Sequence, residues 1–343
     1  MSTKLNYRAW DIDISQFPEN GNINDQLLFL LKFVMLAPSG HNSQPWLLSV
    51  KENSVDFSLE KSRSLEESDP TGRQLMISFG CALENFLIAA KHFGFDTEVT
   101  YSPKDSVSNI IVSVICNRIN STDNDNLVEA VLQRHTDRGA YKDLSIDPVF
   151  VNEVLNLSSD ELKFFIVSDH QQKEKLVSIV SEAQVKIMDS DAFRNELSGF
   201  VKSSYTDSKN GIPGFALGLP APVSLLAPWL VKKMNLARKT QKQDDATLRK
   251  TPAYMIIAGK NDDKFSWLKA GQFFEHAWLM ACKDKMVCSP MAAVIQDKTC
   301  RKNLQQLLNT DLLPHVFFRI GFPEKESRPT PRYLVEDLLL VKK

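Results

Sequence analysis

Ala37-Pro38-Ser39-Gly40-His41-Asn42-Ser43-Gln44-Pro45-Trp46 is the stretch on which the reading of this chain turns. An apolar run with helical character, Leu27 to Leu36, leads into it, and an alternating segment, Trp46-Leu47-Leu48-Ser49-Val50, leads out as a strand. Pro38 stops the helix, because proline cannot continue one and biases its predecessor away from helical geometry. The residues between are small or carry amide or imidazole groups. A polar connection held between two regular elements suits a polar ligand on a rigid scaffold. It also suits an ordinary helix-to-strand turn.

At 343 residues the chain has room for two domains or one large one. Its 43% apolar content supplies a sizeable core. The net charge of −1 calls for neither nucleic acid nor an anionic membrane. No apolar run reaches membrane-spanning length, and Met1 to Asp13 lacks the apolar core of a secretory signal. The five cysteines, at 81, 116, 282, 288 and 300, are odd in number and form no C-x-x-C pair, which points to a reducing, cytoplasmic setting. Cys288 reads as a structural thiol. The scattered histidines and the lack of H-E-x-x-H give no metal site, and no G-x-G-x-x-G follows a strand.

The order of elements repeats. Gly80 to Phe95 and Gly271 to Met286 both begin with glycine, run through two apolar positions to Glu84 or Glu275, and continue with apolar residues at helical spacing. Each helix lies between two β-rich segments: Val55–Leu59 and Asn109–Val114 for the first, Ala253–Ala258 and His315–Ile320 for the second. The matched order indicates two diverged copies of one unit, about 1–125 and 126–343. Extra sequence at about 195–250, rich in glycine, proline and apolar residues, suits a lid that packs on a ligand yet hinges.

The loop at 37–46 resembles the flavin-contacting A-P-S-x-x-N-x-Q-P-W loop of the nitroreductase superfamily. Arg134-His135-Thr136-Asp137-Arg138 resembles that family's R-x-S/T-x-R/K element, and Gly321-Phe322-Pro323 through Arg328-Pro329-Thr330-Pro331-Arg332 resembles its C-terminal ending. The first copy keeps the loop and has Tyr7-Arg8-Ala9-Trp10-Asp11 where the arginine element belongs. The second copy keeps the arginine element and has Leu157 to Leu162 where the loop belongs. The combination is similar to the Acg-type branch, in which one chain imitates the family homodimer. The resemblance implies an α+β, nitroreductase-like fold of two fused copies with a lid insertion, one complete site and one vestige, in a pseudo-dimeric monomer.

The resemblance also implies FMN as cofactor. Pro38, Ser39, Gly40, Asn42 and Gln44 would close over the ring and ribityl chain from one side. Arg134 and Thr136 suit the phosphate, joined by Arg328 and Arg332, and His135 would lie on the flavin side. Arg138 would face the pyrimidine end, and Pro290, Met291 and Ala292 would bring backbone N–H groups to the ring. No side chain is assigned as catalytic. The expected activity is NAD(P)H oxidation with electron transfer to a nitro-aromatic, quinone or enone; the alternative is FMN storage under the lid.

Overall fold

A computed structural model describes residues 4–101, 109–119 and 127–340. The expected boundary at 125–126 and Met1–Thr3 lie outside them. Helix α1, Ile23–Val34, starts on Asn22, whose side chain accepts from the Asp25 N–H and so satisfies an orphan donor. Strands β1, Trp46–Lys51, and β2, Ser54–Leu59, form a hairpin with Trp46 opposite Leu59. Helix α2, Arg73–His92, follows, then β3, Phe95–Tyr101, and β4, Ile110–Arg118. These strands make an antiparallel sheet in the order β1-β2-β4-β3.

Helices α3, Leu127–Gln133, and α4, Pro148–Asn156, lead to β5, Leu162–Val167. A largely helical segment then covers one side: α5, His170–Asp189; α6, Asp191–Phe200; short strands β6, Val201–Lys202, and β7, Ile212–Pro213; then α7, Ala227–Lys233, and α8, Leu236–Arg249. After it come β8, Ala253–Gly259; α9, Lys264–Lys283; β9, Val287–Pro290; α10, Ala293–Gln296; α11, Lys298–Leu307; β10, Leu313–Gly321; and α12, Val335–Leu338. The second antiparallel sheet has the order β5-β8-β10-β9. In chain order, each sheet places its strands in the same relative positions.

The two sheets are buried differently. β8 is buried at every residue: Met255 and Ile257 enter the main core with α9, while Tyr254 and Ile256 enter a second core with α5. Both faces are covered, so β8 reads as a continuous apolar run rather than an alternating one. β3 alternates buried and exposed residues, as a strand with one solvated face does.

Helices α2 and α9 cross where the repeat placed its two glycines. A Cβ on Gly80 would stand 2.0 Å from the Leu268 carbonyl oxygen, and one on Gly271 would stand 2.2 Å from that of Ile77. The helices therefore meet backbone to backbone, and only glycine fits at either point. The chain ends close back on the other elements. Leu340 N–H donates to Leu48 O at 2.7 Å, bridging the C-terminal segment to β1, and Arg332 N–H donates to Asn6 O at 3.0 Å.

Candidate functional site

A cavity of about 890 Å³ lies between the loop at 38–42, the N-terminal half of α2, the 136–139 turn, the start of α10, the tail at 325–332 and the helical segment at 193–248. This is the upper part of the size range, roughly 300–1,000 Å³, typical of ligand pockets. Segments from before residue 125 and after it share its wall.

The wall is rich in unneutralised cations. Arg138 lines the cavity, is exposed, and has no hydrogen bond or ion pair among the described residues. Desolvation by the surrounding protein, with Arg319 close by, lowers its pKa from the usual arginine value. Arg328 stacks over Phe215 at 4.3 Å and has no acidic partner. Arg319 stacks over Tyr141 at 4.2 Å and gives one nitrogen to Gly139 O at 2.7 Å, while its other terminal nitrogen is buried without a partner. The Thr136 hydroxyl is also uncommitted. Of this set only the Arg319 nitrogen is a buried donor left unpaired, which is costly; Arg138 and Arg328 are exposed, and with the Thr136 hydroxyl they offer donors of the kind that suit an anion.

Several residues expected at the site stand elsewhere or have other work. Arg134 is not on the cavity wall. It is fully buried, ion-paired with Glu275 at 2.9 Å, stacked over Trp278 at 4.4 Å, and bonded to Leu36 O at 2.6 Å. Burial raises the Glu275 carboxyl to about 7 despite that cation. His135 is also off the wall: Nδ1 faces Gln133 O at 2.8 Å and Nε2 faces Ser327 Oγ at 2.9 Å, tying the turn to the tail. Met291 spends its N–H on Phe317 O at 2.8 Å. Ala292, at the entry to α10, lines the cavity, and its N–H makes no backbone hydrogen bond. Arg332 reaches the cavity, but its Nη1 goes to Asn42 Oδ1 at 2.7 Å and to the tail's own carbonyls, while its Nε is buried without a hydrogen-bond partner. Burial, with Arg134 nearby, lowers its pKa to about 9. Cys288 is buried off the wall, whereas Cys81 lines it with its thiol raised well above normal by burial.

The conspicuous polar residues of the 37–46 loop act mostly as staples. Asn42 Nδ2 donates to Gly211 O at 3.0 Å and Pro331 O at 2.9 Å. Gln44 is wholly buried off the wall; it donates to Lys209 O at 2.8 Å and accepts from the Tyr333 N–H at 2.9 Å. His41, Asn42 and Gln44 all hold positive φ, which directs these side chains across the loop. The loop thus binds the 208–213 segment and the tail together, while Pro38, Ser39, Gly40, His41 and Asn42 all line the wall. Glu196 of α6 adds a second fastening. It accepts from the N–H groups of Glu67 and Ser68, both at 2.9 Å, and from the Ser68 hydroxyl, which also contacts His41 Nε2 at 2.9 Å. Burial opposes ionisation of Glu196, but these bonds hold its carboxyl below the usual range. Burial pushes His41 down to about 4, so it is neutral at pH 7.

Sequence reasoning passed over Arg319 and Glu196. Arg319 carried a signal: it is the one charge within Val316-Phe317-Phe318-Arg319-Ile320. Glu196 carried none, because its partners lie 128 residues away. Among the described residues no cluster of metal-ligating side chains occurs, and no helix is long and apolar enough to cross a membrane.

No family model matches the chain. A Mycobacterium tuberculosis protein, Rv3131, provisionally named an NAD(P)H nitroreductase, is 23% identical over 88% of this chain and 86% of its own length. Acg from the same organism, provisionally named likewise, is 20% identical over 95% and 98%. PigM of a Serratia species, also named as an NAD(P)H nitroreductase, is 22% identical over 91% and 92%. Among solved structures, the FMN- and NADPH-dependent nitroreductase NfnB is 13% identical, with a TM-score of 0.43 over 63% of this chain and 99% of that one. An FMN-bound nitroreductase from Bacteroides fragilis is 11% identical, with a TM-score of 0.40 over 64% and 100%.

Proposed function

We propose that this chain, a member of the nitroreductase superfamily of the Acg type, is an FMN-dependent NAD(P)H oxidoreductase whose two copies, 1–125 and 126–343, form one flavin site between them. The observation that carries this reading is the cavity wall. Arg138 and Arg328, without anionic partners, stand with Thr136 and Ala292 around a space bounded by both halves. A phosphate-bearing ring system that gains negative charge on reduction fits that donor set.

In this reading Arg328 and Thr136 hold the phosphate, and Arg138 holds negative charge at the pyrimidine end. The Ala292 N–H replaces Met291 as the donor to the ring, and Arg332 acts by fixing Asn42 and the loop. Bound FMN supplies the electron chemistry, accepting hydride from NAD(P)H and passing electrons to a nitro-aromatic, quinone or enone. The residues orient the cofactor, and the apolar lid residues, Phe193, Leu197 and Phe215 among them, exclude water.

A second reading, FMN storage, is favoured by the fastened lid. Asn42, Gln44 and Glu196 each tie it to the rest of the chain. One experiment separates the two. The FMN-loaded protein is mixed anaerobically with NADPH or NADH, and flavin absorbance is followed. Rapid bleaching supports the oxidoreductase; retention of oxidised flavin through many minutes removes it and leaves storage.

A further inference from the structure

The near-zero charge of the whole chain hides a local imbalance. Between Asp207 and Asp244 there are six basic residues, Lys209, Lys232, Lys233, Arg238, Lys239 and Lys242, and no acidic one. Lys209 is paired with Asp337 and Arg238 with Asp189. Lys232, Lys233, Lys239 and Lys242 are exposed and have no ion pair.

The same stretch turns apolar side chains outward. Leu225, Leu226 and Trp229 are 61%, 60% and 58% exposed, and Val223 beside them is 43% exposed. This is not a core face left open. Ala227 and Val231 on the other side of α7 are buried in a small core with Val201, so the helix is seated and its outward face is a second apolar surface. Lys232 and Lys233 lie three and four positions after Trp229, on the same helical face. A contiguous exposed apolar patch of this kind marks an interaction surface.

We propose that the outward face of residues 223–233, with Leu225, Leu226 and Trp229 inserted and Lys232 and Lys233 above them, docks the protein on an anionic lipid bilayer. Its composition selects lipid over a protein partner. Lysine is depleted in protein–protein interfaces, whereas aliphatic and tryptophan side chains edged by lysines are the pattern of interfacial helices. The charge complements the anionic leaflet, and the lysine stems keep their heads at the headgroup level. The surface also adjoins the cavity. A Cβ on Gly214 would stand 2.3 Å from Ser224 Cβ, so the turn carrying Leu225 packs directly on the turn that carries Phe215 to the cavity wall.

The test uses the full chain and vesicles of phosphatidylcholine, with and without phosphatidylglycerol, followed by co-sedimentation and tryptophan emission. Binding to the anionic vesicles is expected to be at least about tenfold tighter than to neutral ones and to weaken with added salt. L225Q/L226Q/W229Q should abolish it and the blue shift with it; K232Q/K233Q should remove the preference for anionic lipid. All five positions are exposed, and thermal melts confirm that the variants fold. Absence of vesicle binding by the unmodified chain overturns the proposal, as does binding unchanged in both variants. Self-association that L225Q/L226Q/W229Q abolishes, without vesicle binding, would assign the face to a second copy and also overturn it.

Discussion

Helices α2 and α9 are each 20 residues long, cross at glycines and carry a glutamate four positions after that glycine, yet their N-terminal halves border opposite things. Along α2, Arg73, Gln74, Ile77, Ser78 and Cys81 wall the cavity. Along α9, the corresponding corner is filled. Tyr101 from β3 meets Phe265 edge-on at 5.0 Å, Lys269 lies over the Tyr101 ring at 4.5 Å, and the Tyr101 hydroxyl donates to Gln272 at 3.1 Å. The glutamates diverge in the same way. Glu275 is sealed against Arg134, whereas Glu84 takes His276 at 2.8 Å and Gln272 at 3.1 Å in a partly exposed position. One scaffold geometry thus supports an open, cation-lined corner or a plugged one. The plug comes from side chains of β3 and α9, whereas the open corner is walled in addition by the helical segment at 193–248 and the tail at 325–332.

The sharpest way to break this contrast is Arg134→Leu. It leaves Glu275 buried without its cation and should cost about 3–5 kcal/mol of stability by urea unfolding. Little loss would show that the pair is not sealed. The open corner should also respond to acid. His315, buried beside Arg301 with Asp262 and Arg73 near, is held at about 4 by burial. In the unfolded chain it protonates near 6.5, so its neutral-state stability is complete above that pH and is lost as pH falls towards 4. The loss amounts to about 3 kcal/mol at most. Unfolding midpoints measured from pH 7.5 to 4 should show this slope, and His315→Gln should flatten it.

Arg138→Ala tests whether the open corner serves the reduced ring. The variant should retain oxidised FMN and lower its reduction potential by roughly 30–60 mV, the equivalent of about 1.5–3 kcal/mol for two electrons. An unchanged potential in flavin-loaded protein places Arg138 away from the ring. The smallest effect belongs to the plugged corner. His276→Gln, which removes a partly exposed pair, should cost under about 1 kcal/mol and leave flavin binding unaltered. A loss of flavin from this variant would mean that both corners act on the site.

Much of the frame was legible because it depends on local rules. Pro38 ends the helix before the loop, β2 follows from the alternation in Val55-Asp56-Phe57-Ser58-Leu59 and β8 from a run of apolar residues, and Gly80 and Gly271 were marked by their shared place in the repeat. The roles of the polar residues were not, since each is set by a partner distant in sequence. Arg134 has the composition of a phosphate ligand until Glu275, 141 residues later, is seen beside it. Gln44 and Asn42 have the composition of ligand-contacting amides until the carbonyls of Lys209 and Gly211 meet them. Arg138 was readable in type, but that it alone of its motif's two arginines stays uncommitted depends on tertiary packing.

The shared cavity wall, drawn from residues on both sides of 125 and clamped where α2 crosses α9, has a consequence for behaviour on dilution. A pocket assembled from two separate molecules obeys mass action: lower the protein concentration far enough and the halves part, carrying ligand affinity away with them. Here a covalent tether fixes the effective concentration of one half around the other, whatever the amount of protein present. Cofactor affinity should therefore not depend on protein concentration, and a cell holding only a few copies of this chain would hold the same number of complete pockets.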